Sequence, residues 1–150
     1  MAQHIDGLEQ ALEKLKTLGK PRIVKRIVRK AARQGMNLVR DAARANAKAI
    51  DDPATSEKIW KNITTSAGKS SSSDEIKMRV GIRGGASYSN SNFSAPSGGD
   101  TRYWRFLEFG TSEIPAVPFM RPALANNVDR VTTKFVEVFN DEVNKELAKI

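Results

Sequence analysis

Apolar positions along the first fifty residues recur with the period of an α-helix. Ile5, Leu8, Leu12 and Leu15 stand three and four apart, which predicts a short helix over 6–18, with the spacing of a capping box at Asp6 and Glu9. Gly19-Lys20-Pro21 punctuates it, because glycine ends helices and proline suits the first turn of the next one. Residues 22–49 then give the clearest pattern in the chain. At 100° per residue Val24, Val28, Ala31, Gly35, Leu38, Val39, Ala42 and Ala49 fall on one side. Arg22, Lys25, Arg26, Arg29, Arg33, Arg40 and Arg44 fall on the other, with Lys30 and Lys48 at the margin. This predicts a long basic amphipathic helix of ~40 Å. Gly35 on its apolar side predicts a close crossing by another element. The helix is expected to stop near Asp51-Asp52-Pro53.

Further along the period changes. Ile76, Met78, Val80 and Ile82 alternate with Lys77, Arg79, Gly81 and Arg83, the pattern of a strand with one buried face. The β-branched run 58–66 predicts its partner, joined to it through 68–73. A third strand is expected at 102–109, where Tyr103, Trp104, Phe106, Leu107 and Phe109 are concentrated. Between strands lies the polar, Gly/Ser-rich stretch 84–101, a loop long enough to suggest a role in contacts. From Pro122 a last helix is expected, with Leu124, Val128, Val131, Phe135, Val138 and Phe139 on one face. The expected fold class is α+β: a short N-terminal helix, a long basic amphipathic helix, an antiparallel sheet of three to four strands and a C-terminal helix, in one domain over 1–150.

Composition narrows the chemistry. Cysteine is absent and His4 is the sole histidine, which excludes disulfides, thiolate zinc sites and cysteine nucleophiles and leaves no second histidine for a metal site. The adjacent carboxylates Asp51/Asp52, Asp74/Glu75 and Asp141/Glu142 do not face each other across a substrate, as general acid–base work requires, and read as solvated charge. The stretch 81–85 (GIRGG) lacks the spacing and lysine of a phosphate-binding loop. No catalytic site and no cofactor site is visible, and no apolar run approaches a membrane span. The N-terminus predicts no signal peptide.

Charge is placed unevenly. Residues 1–50 hold twelve Lys/Arg against four Asp/Glu, and 51–150 hold thirteen of each, so the whole +8 lies in the first third. A stripe of arginine and lysine can neutralise phosphates, stay solvated, or meet acidic groups on another subunit. The helix has no aromatic or Asn/Gln cluster suited to base edges, and no helix-turn-helix or zinc signature is present, which counts against sequence-specific reading of DNA.

The segment 103–124, YWRFLEFGTSEIPAVPFMRPAL, combines aromatics, a glycine turn and prolines that force an extended path into the last helix. Glu108 sits among aromatics, where an unpaired charge is costly, so it is expected to pair with Arg105 or Arg121. Glu108, Phe109, Gly110, Pro115, Pro118, Phe119, Arg121 and Pro122 form the expected structural corner.

This segment resembles the signature of the tail-completion, or head–tail joining, proteins of long-tailed bacteriophages, also described as minor tail components. Their pattern is an aromatic strand ending in E-F-G-T, a spacer, then P-x-x-P-[FM]-[LM]-R-P-A-[LF]. Here it reads Glu108-Phe109-Gly110-Thr111, Pro115, then Pro118-Phe119-Met120-Arg121-Pro122-Ala123-Leu124. The opening GLEQALEKL and the long basic helix resemble the family in the same order. One departure is that Pro53 is followed by ATSEKIWKNI, which keeps Thr55 and Ile63 but lacks the family's glycine. The resemblance implies a non-enzymatic virion protein of the neck or tail, forming a ring, commonly six-fold, around the DNA path. Its implied partners are other neck and tail proteins, with loop 84–101 and the basic face carrying contacts. The alternatives are a neighbouring-layer connector, either a head-closure or a tail-terminator protein, and a non-specific DNA-binding protein using the basic helix.

Overall fold

Helix α2 (Pro21–Ala49), 29 residues long, is the axis on which everything else packs. The computed structural model describes residues 8–72, 75–83, 96 and 98–149. Around α2 stand α1 (Leu8–Leu18), the single turn α3 (Ile59–Asn62), strands β1 (Ile63–Ala67) and β2 (Met78–Ile82), α4 (Trp104–Phe109), α5 (Arg121–Ala125) and α6 (Val128–Leu147). Proline opens α2 as expected, and the chain turns away after Ile50. His4, Ile5, Asp6 and nearly all of the 84–97 stretch lie outside the described residues.

The buried stripe of α2 is Ile27, Ala31, Gly35, Val39, Ala43 and Ala47, a strict four-residue ridge. A flat helical wheel places Val24, Ala42 and Ala49 there instead. Four residues turn 400°, so the ridge drifts about 40° per step and winds around the helix. Its partners change accordingly. The N-terminal half packs Ile27 and Ala31 against Phe139 and Val143 of α6, with Leu15 of α1 alongside. The C-terminal half packs Val39, Ala43 and Ala47 against Ile59, Ile63, Phe119 and Ala123. Gly35 lies between the two cores, where an added Cβ would sit 3.0 Å from the Val131 carbonyl oxygen. Glycine there lets α6 cross α2 closely.

The α+β class holds, but the sheet has two strands rather than three or four. β1 pairs antiparallel with β2 in the register Ile63↔Ile82 through Ala67↔Met78. The expected third strand is helix α4. Its aromatics favour a strand in isolation, yet Trp104, Leu107 and Glu108 recur at helical spacing and turn inward while Arg105, Phe106 and Phe109 face out. The first half of the expected strand 58–66 is the turn α3. It drives Asn62 into the interior, where its amide donates to the Gly99 carbonyl (3.1 Å) and Thr101 Oγ1 (2.6 Å) and its Oδ1 accepts the Gly98 N–H (2.9 Å). Ile76 stands just outside β2. The last helix breaks after Ala125, and α6 begins at Val128. The break resets the helical phase, so Leu124 and Val128 stand exposed while Phe139 and Val143 fill the core.

Candidate functional site

The buried carboxylate of Glu108 organises the expected corner. Helix α4 places it 1% exposed, beneath the point where the chain enters α5. Oε2 accepts the N–H groups of Phe119 (2.7 Å) and Met120 (2.9 Å). Oε1 accepts the Arg121 N–H (2.9 Å) and its Nε (3.1 Å). The Arg121 guanidinium also donates to the Glu108 carbonyl at 2.6 Å, so Arg121 rather than Arg105 is the partner. One carboxylate therefore gathers three consecutive backbone N–H groups, of Phe119, Met120 and Arg121, where the chain turns into α5. Burial by itself pushes the Glu108 carboxyl up; the N–H groups of Met120, Arg121 and Phe119 and the guanidinium outweigh it and hold the carboxyl below its ordinary range.

Gly110 ends α4 at φ 75°, and a Cβ there would lie 2.8 Å from the Ala116 nitrogen. From this pivot the loop 111–118 projects with all eight residues exposed. It is braced from within. The Thr111 N–H donates to the Ile114 carbonyl (2.8 Å), Thr111 Oγ1 accepts from the N–H groups of Glu113 (3.2 Å) and Ile114 (3.0 Å), and the Val117 N–H returns to the Leu107 carbonyl (2.7 Å). Pro115 and Pro118 stiffen the path. Phe119 then anchors it, fully buried, with its carbonyl accepting Asn46 Nδ2 at 3.2 Å. Pro122 lies in the first turn of α5. Phe109 is not part of the interior: it is 61% exposed, with the Arg121 guanidinium 4.8 Å from its ring centre.

Large apolar side chains stand exposed in and around this corner. Of the seven large apolar side chains that stand exposed among the described residues, six (Phe106, Phe109, Ile114, Val117, Leu124 and Val128) fall between residues 106 and 128, in the corner and the helices flanking it, each between 41% and 61% accessible. Exposed apolar residues scattered singly over a surface are ordinary; here they are concentrated in one stretch of the chain.

The basic stripe of α2 divides in two. Arg26 bonds Glu146, Lys30 reaches Glu142 at 2.7 Å, and Arg40 pairs with Asp41 at 2.9 Å. Arg44 donates to the Ile63 carbonyl (3.0 and 2.7 Å) and Arg33 to that of Thr65 (3.3 Å). Because Arg83 donates to Asn62 and Gly68 to Lys77, the even-numbered positions of β1 face β2. The carbonyls of Ile63 and Thr65 point the other way, so Arg44 and Arg33 close the outer edge of the sheet. Sequence reasoning missed this use of two arginines, since nothing local marks which carbonyl a long side chain will reach. Arg22, Lys25 and Arg29 make no salt bridge or side-chain hydrogen bond among the described residues.

The decisive comparison is with protein families. A family model described as "Bacteriophage HK97-gp10, putative tail-component" matches residues 7–110. The chain belongs to this phage tail-component family. Membership supports a structural role in the tail and a place in the virion. The match runs from α1 through Glu108-Phe109-Gly110, while the proline-rich half of the corner lies beyond it. Neither the comparison with curated proteins nor that with solved structures gives a match. Among the described residues no group of acidic or histidine side chains could hold a metal, and no helix is long and apolar enough to cross a membrane.

Acid should loosen this tail component. Glu108 has a folded pKa below its unfolded one, as do Glu142, held down by hydrogen bonds first from Lys30 and then Lys145, and Glu146, held down first by Lys149. Groups shifted in this direction stabilise the fold above their unfolded pKa, about 4.3 for glutamate, and lose that contribution as pH falls through the folded pKa. Thermal unfolding between pH 7 and pH 3 is expected to show a plateau down to about pH 5 and a falling melting temperature below it, with a shallower fall for Glu108→Gln. A melting temperature that rises on acidification contradicts this.

Proposed function

We infer that this protein is a ring subunit, six-fold by the family resemblance, at the head-proximal end of the phage tail. There it completes the tail and joins it to the head around the DNA path. The observation that carries the reading is the row of exposed apolar side chains on a corner braced by Glu108, in a chain that belongs to a tail-component family. A rigid apolar surface loses little entropy on docking, which suits permanent contact with another layer of the particle. Its function is assembly, not catalysis, with other neck and tail proteins as partners. A neighbouring neck layer, head-closure or tail-terminator, would use the same surface.

A second reading rests on Arg22, Lys25 and Arg29, which would meet the phosphates of the genome. The intramolecular use of Arg26, Arg33, Arg40 and Arg44 leaves this surface smaller than the sequence stripe suggests.

In a phage deleted for this gene, wild-type protein supplied in trans is expected to restore joined particles. Phe106→Ser/Phe109→Ser replaces two partly exposed rings, and a melting curve reports that the variant is folded. It should nonetheless leave heads and tails separate in electron micrographs and lower the titre by orders of magnitude. Joined particles at the wild-type level with this variant contradict the reading.

A further inference from the structure

The groove at the start of α2 and the loop at the corner are complementary, and one copy cannot bring them together. The groove has a volume of about 510 Å³ and lies between α1 and α2, with Leu15, Val24, Val28 and Ile76 as its apolar wall and Lys20 and Lys25 among its lining. Neither lysine has an anionic partner among the described residues. The loop 111–118 presents the opposite chemistry: Ile114 is 53% exposed at its turn, and the neighbouring Glu113 is exposed with no cationic partner among the described residues. The turn is built in advance by Thr111, Pro115 and Pro118, so docking it costs little ordering entropy.

Position decides the occupant. The groove is formed at Val24 and Val28, whereas the loop is tied down by Phe119 against Ala43, Ala47 and Asn46. Roughly 20 residues of α2 separate the two, about 30 Å of helix at 1.5 Å per residue. Both ends of the loop are fixed there, so it cannot fold back into its own groove. We propose that the Glu113–Ile114 turn of one copy docks in the α1–α2 groove of the next, with Ile114 against the apolar wall and Glu113 facing Lys20 and Lys25. Such a contact is heterologous, using different patches on the two partners, and repeats head to tail until a ring closes. The inference deepens the ring reading and rests on it.

The test is a charge exchange read by light scattering of the full chain. Glu113→Lys alone and Lys20→Glu/Lys25→Glu alone should each associate roughly tenfold or more weakly than wild type, because like charges then face each other at every contact. Mixed in equal amounts they should regain the wild-type mass, since each reversed face meets a reversed partner and each native face a native one. Glu137→Lys, a reversal of the same size on α6, should leave the mass unchanged, and melting curves report whether each variant is folded. Wild type that assembles while both variants assemble equally well overturns this docking and leaves the ring reading intact. Variants that weaken without recovery on mixing, or a Glu137→Lys variant as weak as Glu113→Lys, also overturn it. A wild type that stays monomeric overturns the ring reading and this contact together.

Discussion

Glu108→Ala is expected to destabilise the protein by about 3–5 kcal/mol, the range for removing one partner of a buried charged network. The carboxylate accepts three backbone N–H groups and one guanidinium N–H within 3.1 Å, and alanine leaves all four without their acceptor. Arg121 is more than half exposed and recovers water, so most of the loss comes from the backbone donors of Phe119, Met120 and Arg121. For a chain of this size the melting temperature should fall by roughly 6–20 °C. Glu108→Gln keeps one acceptor oxygen but turns an amide NH2 toward N–H groups, so it should lie between wild type and alanine. Equilibrium denaturation of the three proteins gives the order directly. A Glu108→Ala variant within 1 kcal/mol of wild type would show that water replaces the carboxylate at no cost, and the corner would lose its hub.

Phe119→Ala should cost a comparable 3–5 kcal/mol for a different reason. Its ring is fully buried in the core with Val39, Ala43, Ala47, Ile59, Ile63 and Ala123, where six neighbours from four elements cannot all move into the space it vacates. The loss combines transfer of an aromatic side chain to water with the cavity left behind. Phe119 also donates its N–H to Glu108, so the two sites are coupled. The double variant Glu108→Ala/Phe119→Ala should lose less than the sum of the singles, since either change already frees the loop from the core. Strict additivity in a double-mutant cycle would separate the packing of Phe119 from the capping by Glu108.

How far the sequence reveals these features depends on whether the signal is local. The long helix, its proline start, the role of Gly35 as a crossing point and the β1–β2 pairing follow from short-range periodicity, and they appear in the structure. The pairing of Glu108 was legible too, because a carboxylate among aromatics needs a partner. What it caps was not legible, since the three donors lie eleven to thirteen residues away. Helix α4 was misread because aromatic residues favour strands, and only the tertiary demand for an inward Glu108 decides between periods. The wheel for α2 failed at both ends for a geometric reason: a straight projection does not follow a ridge that winds from α6 to β1 and α5. The exposed corner surface escaped notice because Phe106, Phe109, Leu124 and Val128 look like core residues by type, and only their exposure shows otherwise.

The proposed ring requires this tail component to build a closed assembly from copies of itself. The most direct measurement is the solution mass of the purified wild-type chain by light scattering, over a concentration series and at two salt levels. A discrete species whose mass is a fixed multiple of 16.5 kDa, held across the upper part of the series, is the predicted result. A species of 16.5 kDa at every concentration and at both salt levels contradicts it.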